Sequence, residues 1–428
     1  MAGRWFEDGA LHFGLGIEDT FVPQHGPDER AVDEYELTEH YERFADDFAL
    51  AAGVGAEFLR WGVPWYRVQP EVARWDWSWT DRALEAMHAC GVRPVVDLVH
   101  YGTPLWLADE FASPDYPDRV ADYAARFAER YADVAVDYTP LNEPVVHALF
   151  SGEYGYWPPY LTGVRGFTTI AAGLARGIVA TQRAVAGVLG DRATFVHVDA
   201  AMAFVGDDAA PEHRAQADRM RMQVHLVEDL VTGAVDADHP AVPQLRDAGV
   251  GDEDLAWFAD SAVQPDVMGV NYYPRISTER YEPGVTHAGG FADPRPAVDL
   301  GTAGLRQALG SYWWRYGVPV MVSETCVTSS VADRVRWLDD SVATVQLMRA
   351  EGIPVVGYTW WPLFDMYEWT WRHSRAPRRD HLLTMGLYDL VETADGLARR
   401  RNAVADRFED LARHGAGSTH NRTARRTR

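Results

Sequence analysis

The sequence predicts an α/β fold, specifically a (β/α)8 TIM barrel forming a single domain. Three observations carry this expectation. Short apolar runs alternate with amphipathic helical stretches, the pattern of a parallel sheet wrapped in helices. The runs number eight, which suits a closed barrel, and loops rich in Trp, Pro or Gly follow them where a barrel places its mouth. At 428 residues the chain has room for more than one average domain, but no linker divides it and one barrel of this size is ordinary.

The predicted strands are residues 11–16, 56–62, 93–99, 134–139, 194–199, 267–271, 320–323 and 355–361. Between them, Tyr41, Phe44 and Phe48 step by three and four residues onto one helical stripe that ends near Gly53. Ser78 with Asp81 three residues on predicts a capping box, and the helix it opens carries Leu84 and Met87 until Cys90-Gly91 stops it. Val120, Tyr123, Phe127 and Tyr131 form another stripe, as do Val335, Leu338, Val342, Val345 and Leu347. Residues 206–211 and 278–298, rich in Gly, Pro and Asp, are expected to be loops, a class of insertion that often lines a catalytic mouth. The catalytic barrel is assigned to residues 1–413. The arginine-rich, non-periodic residues 414–428 are expected to be a disordered polar tail.

Composition excludes several kinds of function. Hydrophobic residues at 47% and 16 Trp describe a core-forming chain, and Trp61, Trp65, Trp106, Trp157, Trp360, Trp361, Trp369 and Trp371 sit near turns or strand ends, to pack or to stack on a ligand. The 40 basic residues, all Arg, face 63 acids for a formal charge of −23. That surplus repels nucleic acid and anionic membranes but not a small neutral substrate. Lysine is absent, which rules out Schiff-base chemistry and a phosphate-loop lysine. Cys90 and Cys326 are expected to be reduced thiols, and no apolar window of signal or membrane-spanning length occurs, so a cytoplasmic location is expected. Gly14-Leu15-Gly16 lacks the third glycine of a dinucleotide fingerprint, and no two His stand at metal-binding helical spacing with a partnering acid. Neither cofactor nor metal is expected, and the oligomeric state is not legible.

Two acids stand out. Glu143 follows the fourth strand in Tyr138-Thr139-Pro140-Leu141-Asn142-Glu143-Pro144, and Glu324 closes the apolar run Val320-Met321-Val322-Ser323. Pro144 biases Glu143 toward an extended backbone. Two carboxylates offered from strand ends of one barrel are what glycosidic bond cleavage requires, because the reaction needs a proton donor and an anionic partner for an oxocarbenium-like centre.

These motifs resemble glycoside hydrolase family 1, the β-glucosidase family, from about residue 5 to residue 408. Asn142-Glu143-Pro144 matches the core of the family's fourth-strand motif, and Ser323-Glu324 matches its seventh-strand nucleophile motif without the following Asn-Gly. Arg60 with Trp65-Tyr66-Arg67-Val68 and Pro70 resembles the second-strand signature. Leu98-Val99-His100 with Pro104 resembles the third-strand one, and Asp266 to Tyr273 resembles the sixth-strand Asp-Phe-x-Gly-x-Asn-Tyr-Tyr. Gly357 to Trp369 resembles the eighth-strand segment that ends in a sugar-binding Glu-Trp pair.

The resemblance implies Glu143 as acid/base and Glu324 as nucleophile, with Arg60, His100, Asn142, Asn271, Tyr273, Trp361, Glu368 and Trp369 holding substrate and charge. It implies a retaining β-glycosidase working by double displacement; carboxyls about 5 Å apart would retain configuration and about 9 Å apart would invert it. The pattern fails at the first strand, where the register that aligns Gly14 puts Phe21 at the place of a sugar-binding Gln. Glu18 or Asp19 is left to serve, an acceptor in place of an amide, so the preferred sugar stays open. Trp371 and Arg372 are extra residues suited to narrowing the pocket or meeting a carboxylate or an aromatic aglycone. Sugar transfer to another alcohol is a variant of the same chemistry. A non-catalytic carbohydrate-binding or scaffold protein on the same barrel is the alternative, and a barrel enzyme of other chemistry, such as an isomerase, is a third.

Overall fold

Eight parallel strands close into a barrel in the computed structural model, which describes residues 4–207, 209–281 and 298–414. They are β1 His12–Gly16, β2 Phe58–Gly62, β3 Arg93–Asp97, β4 Asp137–Thr139, β5 Thr194–Ala200, β6 Val267–Asn271, β7 Val320–Glu324 and β8 Val355–Trp360. Each pairs with its sequence neighbours and β8 pairs with β1, so closure leaves no barrel edge unpaired. The strands read as near-continuous apolar runs because both faces are covered. Phe58, Val95, Val196, Val198, Val267, Met321 and Val356 fill the barrel interior, with Trp5 and Phe6 against them.

All eight predicted strands exist, with shifted ends. The fourth is shorter than 134–139 because Val134 N–H still bonds Tyr131 C=O in the turn that closes the preceding helix. The third stops at Asp97, and the seventh runs through Glu324 itself.

The wrapping helices are α1 His40–Gly53, α2 Ser78–Ala89, α3 Tyr116–Arg130, α4 Gly163–Leu189, α5 Pro211–Gln223, α6 Gly301–Tyr316, α7 Val331–Ala350 and α8 Ala403–His414, with shorter helices between α5 and β6. On α3, Val120, Tyr123 and Phe127 are buried as their spacing predicts. The capping box at Ser78 does not form. Asp76 accepts from Ser78 N–H, while Asp81 is drawn to Arg130 and Tyr131 at the end of α3. Leu347 departs from the α7 stripe and is exposed, since the step from Val345 is two residues, not three or four. Residues 206–211 and 278–298 are not simply loops. Ala203–Gly206 pairs in parallel with Thr278–Tyr281 as a ribbon, and Pro211 opens α5. Residues 282–297 and 415–428 lie outside the described residues, and His414, assigned to the tail, belongs to α8. Cys90 and Cys326 are free thiols. Among the described residues, no helix is long and apolar enough to cross a membrane.

Candidate active site

The strand ends bring charge together at the barrel's C-terminal mouth. Arg60, the middle residue of β2, is fully buried and central. Its Nη1 donates to Glu324 Oε1 at 2.8 Å and to Ser323 C=O at 3.1 Å. Its Nη2 donates to Asp97 Oδ2 at 2.6 Å and to Asn142 Oδ1 at 2.9 Å. Asn271, the last residue of β6, donates its amide to Glu143 Oε1 at 2.8 Å and to Asn142 Oδ1 at 3.3 Å. Ser323 Oγ donates to Asn271 Oδ1 at 2.6 Å, which orients that amide. Glu324 and Glu143 are therefore the two ends of one hydrogen-bonded chain through Arg60, Asn142 and Asn271. Tyr273 adds a donor to Glu324 Oε2 at 2.6 Å.

Glu143 is presented by an unusual backbone. Its φ is +45°, left-handed, against the extended conformation that Pro144 favours. The surroundings hold it there: its N–H bonds Val198 C=O at 3.1 Å, and Asp199 takes the Val145 N–H at 3.2 Å. Such a conformation costs about 1–3 kcal/mol in a residue other than Gly and persists where the neighbourhood over-determines it.

The electrostatics follow from burial. Burial pushes both Glu143 and Glu324 above the usual carboxylate range. Opposing it, Glu143 has hydrogen bonds from Tyr101 and Asn271, both neutral, whereas Glu324 has the Arg60 guanidinium. Burial outweighs Arg60 and holds Glu324 at about 8, yet the guanidinium bonded to it is a charged donor that strengthens when the carboxylate forms. Burial also raises Asp97, but Arg60 and His100 outweigh it and hold this carboxyl low. Burial depresses His100, yet Asp19, Asp97 and Glu18 together lift it well above its ordinary value.

His100 Nδ1 lies 2.7 Å from Asp19 Oδ1, its Nε2 is 3.0 Å from Asn142 Nδ2, and its ring stacks on Trp361 at 5.8 Å. Trp361 donates to Glu18 Oε2 at 2.8 Å and lies under the Arg60 guanidinium at 4.9 Å. Glu18 and Asp19 thus stand beside His100, while Phe21, itself buried, stacks on Tyr66 at 3.5 Å. Asp19, Asp97 and His100 offer ligand atoms within 4.8 Å of one another, a spacing open to a cation. Asp97 is already bound to the Arg60 guanidinium, which repels a metal ion, so these residues form an ion-pair cluster better than a metal centre.

Other candidates stand further out. Trp369 meets Tyr101 edge-on at 5.3 Å. Glu368 accepts from Thr370 at 2.7 Å and faces His381 at 3.8 Å, without a direct bond to either catalytic candidate among the described contacts. Trp371 packs on Arg30 at 3.9 Å. Arg372 is buried and spends its Nη groups on Glu29, Tyr160 and the carbonyls of Val22, Pro23 and Arg30. It braces the mouth's wall; those bonds occupy the atoms that would otherwise meet a substrate carboxylate.

Sequence reasoning missed Asp97, Ser323 and Tyr101 as members of this network. An Asp inside the apolar run 93–99 was a signal for Asp97. Tyr101, next to His100, donates to Glu143 Oε2 and was hidden because its reach depends on its own positive φ of 69°.

A closed parallel barrel with paired acids at its mouth defines a class, the (β/α)8 glycoside hydrolases. The comparisons narrow it: the model of glycosyl hydrolase family 1 matches residues 1–375, and the chain belongs to that family. Beta-glucosidase 26 from Oryza sativa subsp. japonica is 23% identical over 416 residues, covering 83% of this chain and 79% of that protein. Beta-glucosidase A from Thermotoga maritima is 22% identical over 414 residues, covering 88% of each. The structure of a beta-glucosidase from Thermotoga maritima in complex with deoxynojirimycin superposes with a TM-score of 0.78 at 18% identity, covering 95% of this chain and 98% of that one.

Proposed function

We propose that the protein is a retaining β-glycosidase that removes a terminal β-linked sugar from a small neutral glycoside by double displacement. In the first step Glu324 attacks the anomeric carbon while Glu143 gives its proton to the departing glycosidic oxygen. In the second, Glu143 takes a proton from water, the water oxygen bonds to the anomeric carbon, and Glu324 leaves as a carboxylate. The observation that supports this most is the division of partners: the guanidinium of Arg60 sits on Glu324, and neutral donors sit on Glu143. An anion is favoured at the attacking group and a proton at the donor.

In this reading Asn142, His100 and Glu18 hold sugar hydroxyls over the Trp361 face, and Glu368 with Trp369 holds the outer hydroxyls. The acids Glu18, Asp19, Asp97, Glu143 and Glu324 crowd around the single guanidinium of Arg60, so a sugar with its own carboxylate is disfavoured. The free thiols fit a reducing, cytoplasmic setting. The catalytic unit is assigned to residues 1–413, with 414–428 taking no part in the chemistry.

Glu324→Gly tests the assignment on aryl glycosides of glucose, galactose, fucose, xylose and glucuronic acid. Turnover should vanish, and azide should restore a glycosyl azide of inverted configuration. A Glu324→Gly variant that keeps its rate sinks the assignment.

A further inference from the structure

Tyr101 is built into the site more firmly than a spectator ring requires. It directly follows His100, is buried, and takes a left-handed backbone, φ +69°. Its hydroxyl donates to Glu143 Oε2 and accepts from Asn142 Nδ2 at 3.3 Å. Its ring is clamped by His100 at 4.8 Å, His147 at 4.7 Å, Trp157 at 5.1 Å and Trp369 at 5.3 Å. Aromatic packing on several sides leaves the hydroxyl little freedom except to point at Glu143. A β-branched or bulky residue at positive φ marks a constraint worth explaining, and here the backbone turn is what aims the phenol inward.

We infer that Tyr101 is a positioning residue for the acid/base, holding Oε2 of Glu143 while Asn271 holds Oε1, and setting how readily the proton leaves. The inference rests on the proposed roles of Glu143 and Glu324. Tyr101 keeps its own proton throughout. Its hydrogen bond favours the Glu143 carboxylate, which matters most in the second step, when that carboxylate takes a proton from water.

Other charged or titratable groups also act on Glu143: His100 and Glu18 from the β3 and β1 ends, Asp199 from β5, Glu324 and Tyr273 from the β7 and β6 ends, and Tyr312 from α6. The Tyr101→Phe substitution leaves all of them in place.

The test uses the whole protein and the aryl glycoside it turns over fastest. With Tyr101→Phe, the basic limb of kcat/KM should move up by about one pH unit, as expected for loss of one hydrogen bond to a carboxylate. Reactivation of the enzyme labelled by a 2-fluoro glycoside should lose rate at neutral pH for the same reason. Site-specific 3-fluorotyrosine in place of Tyr101, a stronger donor of nearly the same shape, should move the limb the opposite way, and it keeps the question open to measurement if the Tyr101→Phe variant does not fold. Trp157→Phe disturbs the same aromatic nest without touching Glu143; it should change the Tm and leave the limb in place. Limbs that coincide for the unaltered protein, the Tyr101→Phe variant and the 3-fluorotyrosine protein overturn the inference while leaving the glycosidase reading intact. No turnover by the unaltered protein on any glycoside overturns both.

Discussion

Replacing Arg60 by Met tests the electrostatic frame of the site directly. Methionine fills much of the same space but cannot supply the bonds to Glu324, Asp97, Asn142 and the Ser323 carbonyl. Asp97 would keep the more distant His100 Nδ1, at 3.4 Å, and Glu324 would keep the Tyr273 hydroxyl, at 2.6 Å. Removing one partner of a buried ion pair costs about 3–5 kcal/mol, because the charge left behind has no compensation. Arg60→Met should lose about this much, read from the shift of the urea midpoint by tryptophan fluorescence at pH 7. Adding Asp97→Asn neutralises one of the two stranded acids and should recover about 2 kcal/mol. The pH dependence has a definite sign. Without Arg60, both carboxyls hold their protons more tightly in the folded chain than in the unfolded one. Their contribution is full below the unfolded carboxylate range and is lost as pH rises, so the deficit against the unaltered protein should widen from pH 5 to pH 8. Activity should fall at least about 100-fold, since the guanidinium that stabilises the Glu324 anion would be gone. A loss below about 1 kcal/mol, a deficit independent of pH, or a double variant no better than the sum of its parts would refute the reasoning.

Three further outcomes follow from the same contacts. Glu143→Gln removes the proposed proton donor, so labelling of Glu324 by a 2-fluoro glycoside with an activated leaving group, followed by intact mass, should lose the fall at high pH that the unaltered protein shows. Gly16→Ala drives a methyl into the six-membered ring of Trp361; displacing that ring should cost about 1–3 kcal/mol in stability and appear in kinetics as a raised KM. Glu34 is buried, accepts from Tyr367 N–H at 3.2 Å, and is held well above the usual range by burial and by Glu18. Its contribution to stability is complete below the unfolded glutamate value and declines as pH climbs, so Glu34→Gln should gain Tm over the unaltered protein as pH rises from 5 to 9, measured by calorimetry.

The barrel was legible because its signal is local. Each strand is a continuous apolar run set off by turns, and Val267–Asn271 matches the predicted range residue for residue. Arg60, His100, Asn142, Asn271, Tyr273 and Trp361 were legible too, because strand ends of one closed barrel converge and the motifs name residues at those ends. What stayed hidden depends on contacts between distant segments. Ser78 looks like a cap in isolation, but Asp76 takes its N–H and Arg130 takes Asp81 from 49 residues away. Arg372 looks like a ligand for substrate until Glu29, 343 residues earlier, claims it. The left-handed turn at Glu143 runs against the rule for residues before proline, and only the β5 backbone and Asp199 explain it.

Closure of the barrel has a consequence for how reactivity arises during folding. The segments up to β4 and the turn after it carry Glu18, Arg60, Asn142 and Glu143; those from β5 onward carry Asn271, Glu324 and Trp361. The guanidinium of Arg60 meets Glu324, Asn271 meets Glu143, and the indole of Trp361 meets Glu18 only when the two halves come together. Each half alone lacks the partners of its own acids. A nascent chain therefore has no working scissors until its last strand has locked beside its first, and hydrolysis becomes a direct reporter of a completed cylinder.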